Sequence, residues 1–547
     1  PSRRPSGIAF SPKAPRRRSI LNNPAEETAD YASCAVLRTA GGLMADSKKR
    51  EVMREGTIDS YVFDNEGIRV LVKIGAKPGE YVPQYEVNVR ELSEGTRLVL
   101  NTLKGELITT VKLDITEIMD PKKREEVRKK FEARAMFLLG KHFPTLSEAD
   151  KGVLTAYLLQ NSLGLGELES LMHDEQLEEV AINSATEPVW VYHKKYGWCK
   201  TNILLKNEES IYDISAMIGR RIGKQINVLS PVMDAHLSSG DRVNATIYPI
   251  SSFGNTITIR KFSRNPWTIP YLIELNCISP QVAGLIWLCI QNEMSLLVSG
   301  GTGSGKTSFL NAISCLIPAN QRIISIEDTR ELTLPKFLQW VPMVTREPNA
   351  EGKGEVTMLD LLVNSLRMRP DRIIMGEVRK QREAEILFEA MHTGHSVYAT
   401  IHADNASETI TRLTTPPISM PKETLSALAG VVVQFRHRRL NIRRTLEFAE
   451  VQKGGDINSI YRWDVKTDRI SEVGKMVTLA NTLSLYAGMT QKEIEQDVAD
   501  KARVFAWMVK RGYKGINTVG RIVSQYYMNS EEVVSLAAKN AEWHGDE

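Results

Sequence analysis

The sequence predicts an α/β fold: a core built on a parallel sheet, preceded by an α/β domain and a small β-rich module, and followed by a helical C-terminal region. Three observations predict it. Apolar runs at Ser295–Ser299, Arg322–Ile326, Arg372–Met375, Ser396–Ile401 and Val431–Phe435 alternate with helical patterns, as do buried parallel strands covered on both faces. A glycine-rich turn joins the first of these runs to a helix. The chain has 547 residues, which at roughly 150 residues per domain leaves room for about three to four domains.

Composition narrows the class. Hydrophobic residues make up 42% and charged residues 25%, which excludes a wholly disordered chain. No run approaches the ~18 consecutive apolar residues of a membrane span; the longest, Val282–Ile290, has nine. Any membrane role is therefore expected to pass through a partner or a surface contact. The five cysteines form no C-x-x-C pair, which argues against a paired-cysteine zinc site and fits a reducing cytoplasm.

Residues 1–45 open the chain with a basic arm. Six positive charges and no acid lie within residues 1–20, so the net charge of +4 becomes −2 for the remainder. A body without net positive charge argues against a whole-surface nucleic-acid binder. The Pro, Ser and Arg content reads as a disordered arm; equally, Met44 is the natural start and the preceding stretch an extension.

Residues 46–119 read as the small β-rich module, with strands at Tyr61–Phe63, Ile68–Ile74, Tyr85–Val89 and Leu107–Leu113 between Gly, Pro and Asn/Asp breaks. Residues 120–262 form the α/β domain. It opens with a charged helix to about Lys141 and a second helix from a Ser147-x-x-Asp150 cap. Strands at Val180–Asn183 and Val189–Tyr192, a helix near Ser210–Ile222 and a strand ending at Phe262 complete it. Ser263–Pro270, with two prolines and no periodicity, is the linker. Residues 271–475 hold the parallel-sheet core, whose first long helix starts at Ser279-Pro280. From 476 to 547 the chain is helical and charged.

Gly300-Gly301-Thr302-Gly303-Ser304-Gly305-Lys306-Thr307-Ser308 contains the pattern G-x-x-x-x-G-K-[ST], with an apolar strand before it and a helix after it. Glycines let backbone N–H groups turn inward around phosphate oxygens, and the helix beginning here presents its N-terminus to the anion. Lys306 supplies a point charge to the β/γ-phosphates and Thr307 a hydroxyl for Mg²⁺. A nucleotide is expected to bind here.

With the phosphate loop, three further stretches in fixed order carry a resemblance: Ile326-Glu327-Asp328-Thr329-Arg330-Glu331, Gly376-Glu377-Val378-Arg379, and Thr393-Gly394-His395 through His402-Ala403. From about Leu163 to Glu450 the chain resembles the type II/IV secretion ATPases, hexameric motors of secretion systems, type IV pili and archaella. The stretch Arg367–Arg379 looks closest to the archaeal branch. The resemblance implies a RecA-like P-loop NTPase core in residues 271–475, with 120–262 as the regulatory domain.

It also implies roles. Glu377, after an apolar strand, is the Walker B acid and holds the Mg²⁺ shell through water; Glu331, after another strand of the same sheet, polarises the attacking water. Both should meet at the carboxyl ends of the strands. His395 and His402 become the family's histidine pair, sensing γ-phosphate or a neighbouring charge. A regular strand would turn these two histidines to opposite faces, which argues against metal ligation. Arg242 and Arg260 correspond to arginines that complete charge neutralisation at the nucleotide, a task suited to a planar guanidinium. Arg221 is a weaker candidate. Implied cofactors are ATP and Mg²⁺, with no zinc site, since the tetracysteine module of many bacterial members is missing here. Implied partners are five further copies in a homo-hexamer and a polytopic membrane platform protein, with the chain cytoplasmic and peripheral at the inner face of the membrane.

The basic run Arg436–Arg439 with Arg443-Arg444 reads as a solvated hairpin or subunit contact. No nucleic-acid partner is expected, although a nucleic-acid translocase or conjugation-type traffic ATPase shares the phosphate loop and is the alternative. A non-hydrolysing, nucleotide-dependent scaffold is the third reading, and two acids after the phosphate loop weigh against it.

Overall fold

The computed structural model describes residues 56–545 apart from 66, 90–93, 111–123, 163, 238, 263–264, 349–351 and 441. All of them lie within Arg54–Glu547, one of two units into which the chain divides. The basic arm and Met44 lie outside the described residues.

Two nine-stranded sheets organise these residues. The first contains β1 (Gly56–Asn65), β2 (Ile68–Ala76), β3 (Gln84–Val89), β4 (Leu177–Ile182), β5 (Trp190–His193), β6 (Gly197–Thr201), β7 (Val232–His236), β8 (Arg242–Thr246) and β9 (Thr256–Arg260), in the order β1-β2-β3-β6-β5-β4-β9-β8-β7. β2 shows why such segments are strands: Ile68, Val70, Val72 and Ile74 are buried at alternate positions, the period of a half-covered sheet.

Two sequence expectations change here. The strands β1–β3 form no separate sheet, because β3 pairs in parallel with β6 through Gln84–Lys200 and Tyr85–Thr201. The expected strand at Leu107–Leu113 is, as far as it is described, the end of a helix, Glu94–Thr110. Leu100, Leu103 and Leu107, spaced three and four apart, bury one helical face against Phe131 and Leu138 of the helix Arg124–His142. The helix Glu148–Ser162 starts where its cap predicts, with Ser147 Oγ accepting from the Asp150 N–H at 3.1 Å.

The second sheet contains β10 (Leu296–Gly300), β11 (Arg322–Glu327), β12 (Gln339–Val344), β13 (Arg372–Met375), β14 (Ser396–Ile401), β15 (Gly430–His437), β16 (Ile442–Val451), β17 (Ile457–Asp464) and β18 (Arg469–Glu472), in the order β12-β11-β13-β14-β10-β15-β16-β17-β18. From β12 to β15 every pairing is parallel, and from β15 to β18 every pairing is antiparallel. Both faces of the parallel part are covered. Leu296 and Val298 pack with Ile286, Trp287, Phe309 and Phe505 on one side, while Leu297 packs with Ile373, Leu387 and Val431 on the other. That is the reason β10 reads as an unbroken apolar run.

The helix Pro280–Gln291, capped by Ser279, lies against the C-terminal helix Gln491–Arg511, and Trp287 stacks on Phe505 and Tyr526. The C-terminal helices are therefore part of the same core. The segment read as linker ends inside structure: Thr268 is buried and donates to the Lys514 carbonyl at 2.8 Å, and Ile269-Pro270 begin the helix Ile269–Glu274.

Candidate active site

The phosphate loop spans the gap between β10 and the helix Lys306–Ser314. Gly305 caps that helix at φ 93°, a left-handed conformation that costs other residues free energy. Ser304 Oγ is buried without a hydrogen-bond partner, and Thr307 Oγ1 makes no hydrogen bond among the described residues. Two uncommitted hydroxyls at a helix N-terminus fit a phosphate chain and its Mg²⁺, because a buried hydroxyl left unpaired is costly.

β14 lies between β10 and β13, so a side chain leaving its carboxyl end sits between the phosphate loop and the acid that follows β13. His402 occupies that place. Its Nδ1 is 3.3 Å from Lys306 Nζ, and its Nε2 is 3.2 Å from Glu377 Oε1. Arg379 grips Glu377 Oε2 through Nε at 3.0 Å and Nη2 at 2.7 Å, and reaches Asp328 Oδ2 through Nη1 at 2.6 Å. The line Lys306–His402–Glu377–Arg379–Asp328 thus runs along the carboxyl edge of the sheet, with the imidazole between lysine and carboxylate and the guanidinium between two carboxylates.

Burial pushes the Lys306 ammonium below its ordinary pKa, opposed by the carboxylates of Glu377, Asp404 and Glu331 that face it. Burial, and then the neighbouring Lys306 charge, lower His402 in turn, so the imidazole between lysine and carboxylate is held towards its neutral form.

Glu331 follows β11 and meets Arg260 Nη2 at 3.8 Å, a loose and largely exposed pair. Arg260 and Arg242 are cross-strand partners of β9 and β8, but Arg242 turns to its own sheet. It binds Asp234 Oδ2 at 2.5 Å and Oδ1 at 3.2 Å. Beside them, His236 Nε2 meets Thr329 Oγ1 at 2.5 Å and Lys224 Nζ meets Glu347 Oε2 at 2.5 Å. The end of the first sheet therefore rests on the loop that carries Glu331. Arg221 contacts Met217 of its own helix at 3.5 Å.

Not every expected residue reaches this place. His395 precedes β14 and His402 follows it. Seven residues of strand put them roughly 20 Å apart at about 3.3 Å per residue, and His395 instead packs by the Ala390 carbonyl and Thr393 at 3.2 Å. The pair expected from the sequence is split between opposite ends of the sheet. The basic hairpin also differs from a solvated one. Arg444 is buried against Asp468 at 2.7 Å, while Arg436 and Arg443 lie on the phosphate loop. Sequence reasoning read the hairpin arginines as solvated or as a subunit contact, and gave no role to Arg379, Asp404 or the buried Glu327. For Arg379 and Asp404 the signal was available, since each stands two residues beyond a named site residue.

A family model described as "Type II/IV secretion system protein" matches residues 203–467. An uncharacterized protein of Methanocaldococcus jannaschii is 34% identical over 397 residues, covering 70% of this chain and 71% of that protein. A putative conjugal transfer protein of Mycobacterium tuberculosis is 31% identical, covering 52% of this chain and 79% of its own length. The type IV secretion system protein PtlH of Bordetella pertussis is 29% identical, with coverages of 47% and 84%. The chain belongs to the type II/IV secretion system ATPase superfamily and has archaeal relatives.

Proposed function

We propose that the chain is a hexameric ATPase that hydrolyses ATP to ADP and phosphate and turns that reaction into movement of a pilus-like filament, an archaellum or a secretion apparatus. The observation that carries this reading is the convergence of Lys306, Glu377 and Glu331 at one edge of a parallel sheet, beneath an arginine from the first sheet. Residues 271–475 are the RecA-like motor, 120–262 the regulatory domain, the part of 263–270 before Thr268 the hinge between them, and 476–547 a helical region packed into the motor's core.

In this reading the loop N–H groups and Lys306 hold the β/γ-phosphates, and the carboxylate of Glu331 orients a water for attack on the γ-phosphorus. The water's oxygen forms the new P–O bond as the bond to the β,γ-bridging oxygen breaks and ADP departs, and the water's proton passes to the Glu331 carboxylate or to the released phosphate. Thr307 and Glu377 would hold a Mg²⁺, which when bound would supply positive charge to the phosphates. His402 relays the state of that edge between Lys306 and Glu377. Arg260, and Arg242 once drawn from Asp234, add positive charge from the first sheet.

Among the described residues no helix is long and apolar enough to cross a membrane. Force is then passed to a polytopic membrane platform protein at the inner face of the cytoplasmic membrane.

Replacing Lys306 by Ala removes the phosphate's counter-charge, and turnover of the purified protein is expected to fall by about two orders of magnitude or more. Turnover like that of wild type would overturn the assignment. A nucleic-acid translocase is the second reading, favoured by the likeness to a putative conjugal transfer protein. Stimulation of turnover by DNA, steeply weakened by salt, would select it.

A further inference from the structure

The hairpin of β15 and β16 places five arginines within residues 436–444. Arg444 is accounted for by Asp468, and Arg438 and Arg439 are exposed at the tip. Arg436 and Arg443 are different. They stand directly opposite one another across the antiparallel pair, where like charges repel.

Both are pressed onto the phosphate loop. Arg443 Nε donates to the Gly303 carbonyl at 3.2 Å, and its Cδ comes within 3.6 Å of where a Cβ on Gly305 would lie. Arg436 Nη1 is 3.0 Å from the corresponding point on Gly303, and its Nη2 donates to Tyr192 Oη of β5 at 2.8 Å. Trp267 lies 5.8 Å from the Arg443 guanidinium and braces it. The Nη groups of Arg443 have neither a hydrogen bond nor a carboxylate partner among the described residues.

Two arginines on directly opposed strand positions, both lying on an anion-binding loop, gather positive charge there, and the Nη groups of Arg443 can donate to an anion seated in that loop. The sheet order decides which part of the anion. β15 flanks β10 on the side away from β14 and β13, so these arginines approach opposite to His402 and Glu377, where the terminal phosphate reacts.

We propose that Arg436 and Arg443 form a second cationic wall of the nucleotide site, which grips the α- and β-phosphates common to nucleoside di- and triphosphates. This rests on the ATPase reading and adds ligands to the same site. Because both nucleotides carry these phosphates, the wall contributes uniform binding: it lowers Kd and KM and leaves kcat nearly unchanged.

The test uses the full chain with Mg²⁺. Binding of ADP, and of ATP in a Glu331→Gln background, is measured for Arg443→Gln and Arg436→Gln, together with the steady-state KM and kcat of each variant in the Glu331 protein. Each substitution is expected to weaken ADP and ATP alike, by about tenfold or more for a lost charge-assisted contact, with kcat within about twofold of wild type. Arg443→Lys should recover part of the affinity by restoring the point charge.

Variants are not needed for the second measurement. In the wild-type protein, ADP should protect Arg436 and Arg443 from an arginine-specific dicarbonyl reagent while Arg438 and Arg439 stay reactive. Unchanged affinity for both nucleotides, an effect confined to ATP, a loss of kcat at constant Kd, or no protection by ADP would each overturn the proposal. A wild-type protein that binds neither nucleotide would instead overturn the ATPase reading itself.

Discussion

Glu327 ends β11 with 2% of its surface exposed, and its two carboxyl oxygens have different fates. Oε1 accepts the N–H groups of Glu331 at 2.9 Å and Leu332 at 3.0 Å, while Oε2 is buried without a partner. Burial raises its pKa from the ordinary 4.5 to about 7, and the two N–H donors keep it from rising further. A carboxyl raised in this way contributes stability that is fully present below pH 4.5 and is lost as pH climbs to about 7. The 2.5-unit difference amounts to on the order of 3 kcal/mol at neutral pH and above. Glu327→Gln keeps an acceptor for the turn but cannot ionise. Its apparent melting temperature should match wild type near pH 4.5 and exceed it increasingly towards pH 8. Parallel melting curves at all pH values would show that Glu327 is already ionised in the folded protein. The sequence pointed to this acidic stretch and singled out Glu331. It could not separate a buried acid from a half-buried one four residues later, because a strand covered on both faces lacks the alternation that distinguishes them. For the histidines the limit was different. Alternation placed them on opposite faces of one strand, yet the length of the strand between His395 and His402 already set them at opposite edges.

At the scale of elements, the parallel strands were legible because each is an unbroken apolar run between turn residues. The added strands β16–β18 were not. β17 reads Ile-Asn-Ser-Ile-Tyr-Arg-Trp-Asp, a half-covered pattern whose antiparallel pairing to β16 depends on the turn around Gly454-Gly455 rather than on apolar content. The helix Glu94–Thr110 was misread for the opposite reason: a local β-branched run hid the wider spacing of Leu100, Leu103 and Leu107. The closest helix contact was also hidden in the sequence. A Cβ at Gly284 would come within 2.6 Å of the Val498 carbonyl oxygen and 3.2 Å of the Ala502 nitrogen, both backbone atoms of the helix Gln491–Arg511. Gly284→Ala must therefore push two helices of the core apart. Although alanine favours a helix by up to about 1 kcal/mol over glycine, overpacking costs typically about 1–3 kcal/mol, so net destabilisation is expected. A lower melting temperature at unchanged far-ultraviolet dichroism is the measurement that checks it; a higher one would mean that the helices separate freely at this crossing.

Across the whole molecule, the first sheet and its connections meet the second through His236–Thr329 and Arg260–Glu331 after β11, Lys224–Glu347 after β12, and Tyr192–Arg436 at the β15 hairpin. These contacts are polar and partly exposed, the kind that two bodies can remake as they move. Arg242 sits beside them but remains bound to Asp234 within its own sheet. Its charge reaches the nucleotide only if the sheet closes further or another copy presents its own site. On the proposed reading Arg242 would act on charge that develops as the γ-phosphoryl group is transferred, and Arg242→Ala should then lower turnover while nucleotide Kd stays within about threefold of wild type. This is the reverse of the pattern expected for Arg443→Gln, and the two variants together divide binding from hydrolysis. If the completing charge comes from a neighbour in a ring of six, specific activity should also rise with protein concentration until the ring is saturated, and Arg242→Ala should flatten that rise. The measurement is turnover against protein concentration for both proteins, with nucleotide binding determined in parallel. Specific activity independent of concentration would place the whole site within one chain, and equal losses of binding and turnover would make Arg242 a support for Asp234 and its strand rather than part of the reaction.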